Sequence, residues 1–121
     1  MKKLLFVEDD PFIRDITSIK MKEHGYEVCI AEDGESALTL FEENKPDIVL
    51  LDLDLPGMSG LEVLEQFMLT KPAVPVVIFS NNDSPDIQEK AKDKGAAAFF
   101  VKASTEYVDL CTQLDLLLKN N

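Results

Sequence analysis

Long apolar runs are missing from this 121-residue chain, and no stretch approaches the roughly 18 residues a membrane span needs. Met1-Lys2-Lys3-Leu4-Leu5-Phe6 starts as a secretory signal would, with lysines ahead of leucines. The apolar run stops at Val7, where Glu8-Asp9-Asp10 begins, short of the roughly 7–15 residues of a signal core. Cysteine is scarce. Cys29 and Cys111, far apart in sequence, suggest neither a disulfide framework nor a zinc site, and both read as reduced thiols among apolar neighbours. Positive charge is scarce too: 12 Lys and Arg stand against 23 Asp and Glu, a net of −11. Such a surface repels phosphate backbones, which argues against direct nucleic-acid binding. These absences point to a cytoplasmic location with no membrane partner.

What is present is enough for one folded domain over residues 1–121. The chain is 45% hydrophobic and 29% charged, a globular balance. Short, nearly continuous apolar runs occur at 4–7, 26–31, 48–51, 74–79 and 97–101. Rich in Val, Ile and Phe, they read as strands buried on both faces. Amphipathic stretches lie between and after them. Residues 11–24 open on Pro11, end before Gly25 and place Ile13, Ile16, Ile19 and Met21 on an apolar stripe. Residues 35–44 follow Asp33-Gly34. Residues 59–69 start at Ser59, 85–94 follow Ser84, and 105–119 follow Ser104. Five β-α units in strict alternation predict an α/β fold, a doubly wound five-stranded parallel sheet of order 2-1-3-4-5 with five helices.

The polar residues then fall into a pattern. Strand one ends in Glu8-Asp9-Asp10, strand three in Asp52, strand four in Ser80 and strand five in Lys102. Ligand crevices in open α/β sheets lie beyond the carboxyl ends of the strands, at the switch point. In this order strands one and three are neighbours, so their acidic ends should nearly touch. Ser80 would lie one strand beyond Asp52, and the Lys102 side chain could span two. Carboxylates so gathered call for a cation. A hard oxygen cluster with open positions suits Mg²⁺, and Mg²⁺, an ammonium and a hydroxyl around one carboxylate make a receiver for a phosphoryl group. Taken singly, Asp9 or Asp10 could instead cap a helix, Asp54 could open the Pro56-Gly57 turn, and Phe99 or Phe100 could be core. His24 reads as a partner of the helix dipole alone. Leu110, Leu116 and Leu117 lie outside the narrowest stripe of the last helix.

The pieces LLFVEDDPFIR, AEDGESAL, PDIVLLDLDLPGMSGLEVL, VPVVIFS and GAAAFFVKAS, in this order, resemble a response-regulator receiver domain of two-component signalling, CheY-like, over essentially the whole chain. The resemblance implies the flavodoxin-like fold and a phospho-acceptor role for Asp52, with a histidine kinase or phosphotransfer protein as donor. It makes Asp9 a direct Mg²⁺ ligand together with Asp52, gives Glu8 a metal-bound water, and adds the backbone carbonyl of Asp54. Ser80 becomes the switch hydroxyl, Lys102 the ion-pair partner of the phosphoryl group and Phe99 the aromatic switch. Asp10 is left to solvent. The implied output is a downstream protein target or output domain, reached through the 85–119 surface, which could also form a homodimer. The resemblance implies a signalling domain rather than an enzyme, beyond self-catalysed phosphorylation and slow dephosphorylation. No helix-turn-helix or second domain fits in the remaining length.

Two positions depart from the pattern: Ala103 stands where proline in a cis peptide is usual, and Asn81-Asn82 follow Ser80 where a small residue is usual. They leave open a receiver-like module that no longer cycles phosphate. Asp52-Leu53-Asp54 also resembles the Asp-x-Asp motif of haloacid-dehalogenase-type phosphatases, though the whole β-α-β-α stretch ahead of it does not suit that family.

Overall fold

A computed structural model describes residues 1–119. Strands β1 (Lys3–Val7), β2 (Glu27–Ala31), β3 (Ile48–Leu51), β4 (Val76–Ser80) and β5 (Ala98–Val101) alternate with helices α1 (Pro11–Glu23), α2 (Gly34–Asn44), α3 (Gly60–Thr70), α4 (Pro85–Asp93) and α5 (Tyr107–Lys119). All strand pairs are parallel, in the order β2-β1-β3-β4-β5. This is the sheet predicted above.

The continuous apolarity of the strands has its cause in two covered faces. Leu5, Val7, Val49, Leu51, Val76 and Ile78 point to one side, against Ala37, Phe41, Val63, Leu64, Phe67 and Ala91 of α2, α3 and α4. The alternate residues Leu4, Phe6, Ile48, Leu50, Val77 and Phe79 meet Met21 of α1 and Leu110, Cys111 and Leu114 of α5. Phe41 and Phe67 stack at 4.2 Å between centroids, tying α2 to α3.

Local chemistry sets the ends. Asp10 accepts from the N–H groups of Phe12 and Ile13 and caps α1, Asp33 caps α2 through Ser36, Ser59 caps α3 through Glu62, and Ser84 caps α4 through Ile87. Gly25, at φ +109°, ends α1 in a conformation few other residues adopt.

Several expectations need correction. Ile19 is exposed, and the inner face of α1 is made by Thr17, Ser18 and Met21. Small polar side chains let the helix sit close, and the Thr17 hydroxyl finds the Tyr107 hydroxyl at 2.8 Å. Leu110 is fully buried, whereas Leu116 faces solvent. α5 begins at Tyr107; Lys102–Ser104 form a separate 3-10 turn. His24 does more than complement a dipole: its Nε2 lies 2.8 Å from Asp115 Oδ2, while the Tyr26 hydroxyl donates to Asp115 Oδ1 at 2.6 Å. Both cysteines are free, Cys111 buried and Cys29 half-buried.

Candidate functional site

The register brings the acids together. Val7 pairs with Leu51, so the next residues, Glu8 and Asp52, stand side by side. Asp52 N–H donates to Val7 O at 3.1 Å, and Glu8 N–H to Ala31 O at 3.0 Å, which fixes both backbones at the sheet's edge. Each side chain is buried. Asp9, one residue further, is exposed, and carboxylate oxygens of Glu8, Asp9 and Asp52 lie within 4.8 Å of one another. Asp10 is turned away to cap α1, so the acidic run divides its labour: one buried, one open to the crevice, one on the helix.

Lys102 closes the two-strand gap with its side chain. Its Nζ donates to Asp52 Oδ2 at 2.9 Å and lies 2.5 Å from Glu8 Oε1. The second contact is an ion pair outside hydrogen-bonding geometry, so that buried oxygen has a charge partner but no directed donor. Burial pushes the Glu8 carboxyl up to about 7; the close Lys102 ammonium pulls it down and the Asp52 charge pushes it further up. Burial by itself would lower the Lys102 ammonium, but its contacts with Glu8 and Asp52 outweigh that and raise it. Two buried carboxylates are thus held beside one half-buried cation, and with Asp9 beside them acids outnumber cations in the pocket.

The remaining expected residues surround this centre. Asp54 N–H donates to Asp52 Oδ1 at 3.2 Å, so both Asp52 oxygens are engaged, while the Asp54 side chain is exposed. Ser80, fully buried at the end of β4, accepts from Asn82 N–H at 3.2 Å. Asn82 Nδ2 reaches Asp54 Oδ1 at 3.5 Å. Phe99 is half-buried on the α4 side of β5, lining a cavity of about 530 Å³ with Gln88, Ala91 and Lys92, whereas Phe100 packs on the α5 side. The Lys102–Ala103 peptide is trans. One contact was not foreseen: Asn81 Oδ1 accepts from Ala103 N–H at 2.9 Å. Its only trace in the sequence is that position 103 is not proline and so carries an N–H.

The donor set fits a hard divalent ion. Three carboxylates of mixed burial supply oxygens, Glu8 Oε1 accepts no hydrogen bond, and Asp9 leaves one side open to solvent.

The C-terminal edge of a parallel sheet thus gathers acids, a lysine and a buried serine, an arrangement of the doubly wound α/β class of proteins. The family model of the response regulator receiver domain matches residues 4–114, and the chain belongs to that family. The chemotaxis protein CheY of Listeria monocytogenes is 40% identical over 103 residues, covering 84% of this chain and 87% of that protein. The sensory transduction protein RegX3 of Mycolicibacterium smegmatis is 37% identical over 102 residues, but the match spans only 44% of that longer protein. Among solved structures, a CheY-like receiver domain of Methanospirillum hungatei superposes with a TM-score of 0.94 at 28% identity, covering 99% of this chain and 95% of that one. The chain is therefore a receiver domain of two-component response regulators, a signalling domain rather than a classical enzyme, of a class that works between kinases and output domains. None of these relatives favours the phosphatase reading.

Proposed function

We propose that Asp52 is the phospho-acceptor of a single receiver domain spanning residues 1–121, and that its donor is a phosphohistidine on a kinase or phosphotransfer protein. One observation carries this: Lys102 Nζ sits 2.9 Å from Asp52 Oδ2 while Asp9 and Glu8 crowd the same carboxylate. A lone pair on an Asp52 carboxylate oxygen forms the new bond to phosphorus, and the phosphorus–nitrogen bond breaks with its electrons left on the imidazole. Lys102 moves from Asp52 to the phosphoryl oxygens. Ser80 exchanges the Asn82 N–H for a hydrogen bond it donates to the phosphoryl group. Asp9, Asp52 and the Asp54 carbonyl would hold Mg²⁺, with Glu8 on a metal-bound water. The ion supplies neutralising charge to the transferring oxygens.

The acyl phosphate then biases an equilibrium through Ser80 and Phe99 toward a second arrangement of the 85–119 surface. That surface meets a downstream protein or output domain, or a second copy of the chain. Hydrolysis back to the carboxylate is slow and self-catalysed. The net charge of −11 supports protein rather than nucleic-acid contacts. No described helix is long and apolar enough to cross a membrane, in keeping with a cytoplasmic site of action.

The test is intact mass after incubation with acetyl phosphate and Mg²⁺. The wild type gains one phosphoryl group, and Asp52→Asn gains none. Labelling that survives the substitution removes Asp52 from the role. A wild type that binds Mg²⁺ and never labels is a module that does not cycle.

A further inference from the structure

The residue after the Ser80 hydroxyl makes a bond that the backbone cannot. The N–H groups of β5 that face β4 recur every second residue, and the first of them, Ala97, donates to Val76 O at 2.8 Å. Ala103 N–H falls in the same phase, but the last paired rung is Ser80 with Val101, and beyond it the chain tightens into the Lys102–Ser104 turn. The early N–H groups of such a turn have no partner within it. Asn81 Oδ1 takes the one on Ala103 at 2.9 Å, from the neighbouring strand. Thr105 Oγ1 closes the other side of the turn on Val101 O at 2.6 Å. Asn81 is thus covalently next to Ser80 and hydrogen-bonded next to Lys102. Both groups belong to the pocket, yet no other side-chain hydrogen bond among the described residues joins their two loops.

Resting on the phospho-acceptor reading, we infer that Asn81 is a positioning residue: its side chain extends the β4–β5 ladder by one rung and locks the Ser80 loop to the Lys102 loop, so that hydroxyl and ammonium approach the phosphoryl group as one unit. Asn81 does not touch the reacting atoms. It acts by limiting the conformations from which Lys102 reaches Asp52.

Asn81→Leu keeps the approximate shape and removes the acceptor; Asn81→Asp keeps an acceptor oxygen in place. Two quantities are read: hydrogen exchange at the Ala103 amide without metal or donor, and the rate of Asp52 labelling by acetyl phosphate at saturating Mg²⁺. In Asn81→Leu the Ala103 amide exchanges faster and labelling slows about two- to tenfold, the range expected for one hydrogen bond. Thermal stability stays that of the wild type because the site is exposed. In Asn81→Asp both quantities return to within about twofold of wild type, given the retained acceptor. Asn81→Leu labelling at the wild-type rate, or Asn81→Asp as slow as Asn81→Leu, overturns the inference while the acceptor reading stands. A wild type that takes no label overturns that reading, and the inference falls with it.

Discussion

At the residue scale, the chemistry of this protein is a competition for Asp52. In the resting arrangement Lys102 and the Asp54 N–H occupy its two oxygens, one each. Both oxygens of the carboxylate are therefore held in place, and in the reaction proposed above an incoming phosphoryl group would have to displace the lysine. Burying three charges is costly unless they are paired, and removing one member of such a set leaves the others uncompensated. A second titratable cluster sits at the opposite edge of the sheet, where Asp115 bridges Tyr26 and His24. Burial, followed by the bond to Asp115, raises the Tyr26 hydroxyl. Burial works to raise Asp115, but the bonds from Tyr26 and His24 outweigh it and hold the carboxyl below its usual range. A carboxyl lowered on folding stabilises the fold above its unfolded value near pH 4, and that contribution vanishes as pH falls through the folded value. Asp115→Asn should thus be less stable than wild type at pH 7, by less than about 1 kcal/mol because the pair is half exposed. The difference should close as pH falls through the folded value, as thermal melts across pH will read.

At the element scale, Glu8, Asp52, Ser80 and Lys102 stand where strands stop, and the stopping signals were plain in sequence. Pro11 and Gly25 bracket α1, and Ser59 and Ser84 announce α3 and α4, because capping is local chemistry within a few residues. The inner face of α1 departs from the expected stripe at Ile19, which is exposed, while Met21 is core and Ile13 and Ile16 are half-buried. What chose Thr17 and Ser18 instead was α5, a partner nearly a hundred residues away whose Tyr107 meets the Thr17 hydroxyl. α5 itself starts late because Lys102–Ser104 are drawn into the turn that holds Lys102 over the pocket. Gly60 shows how tightly an element can be pressed on the site: a Cβ there would lie 2.4 Å from Leu53 Cα and 2.6 Å from Asp52 O. Both neighbours are backbone and cannot rotate aside. Gly60→Ala should cost about 1–3 kcal/mol of stability, as overpacking does, and should slow Asp52 labelling by shifting its loop. Chemical denaturation and the acetyl phosphate assay check the two halves separately.

At the scale of the whole molecule, one sign of charge dominates, and the pocket gathers three carboxylates of that sign within 4.8 Å of one another. A divalent cation that binds only the folded chain stabilises it by mass action, about 2.7 kcal/mol at a hundredfold excess over its dissociation constant. Millimolar Mg²⁺ should accordingly raise the unfolding midpoint, and EDTA should reverse the rise. Asp9→Asn should lose the response while keeping the fold, since Asp9 is exposed and caps nothing. A midpoint indifferent to Mg²⁺ would contradict the assignment of these acids as ligands.

The order of strands, the two-faced core and the positions of Asp52, Ser80, Glu8, Asp9 and Lys102 at strand ends were all legible from the order of residues. Alternation, apolar runs and caps are encoded within a dozen residues, and the right-handed crossover leaves few ways to assemble them. Distances between side chains from different strands were not encoded that way. That Lys102 reaches both Asp52 and Glu8, and that Asn81 ties β4 to β5, were decided only when register and turn geometry brought distant segments within 3 Å. Hydrogen bonds act over that range alone, so only the assembled sheet could select them.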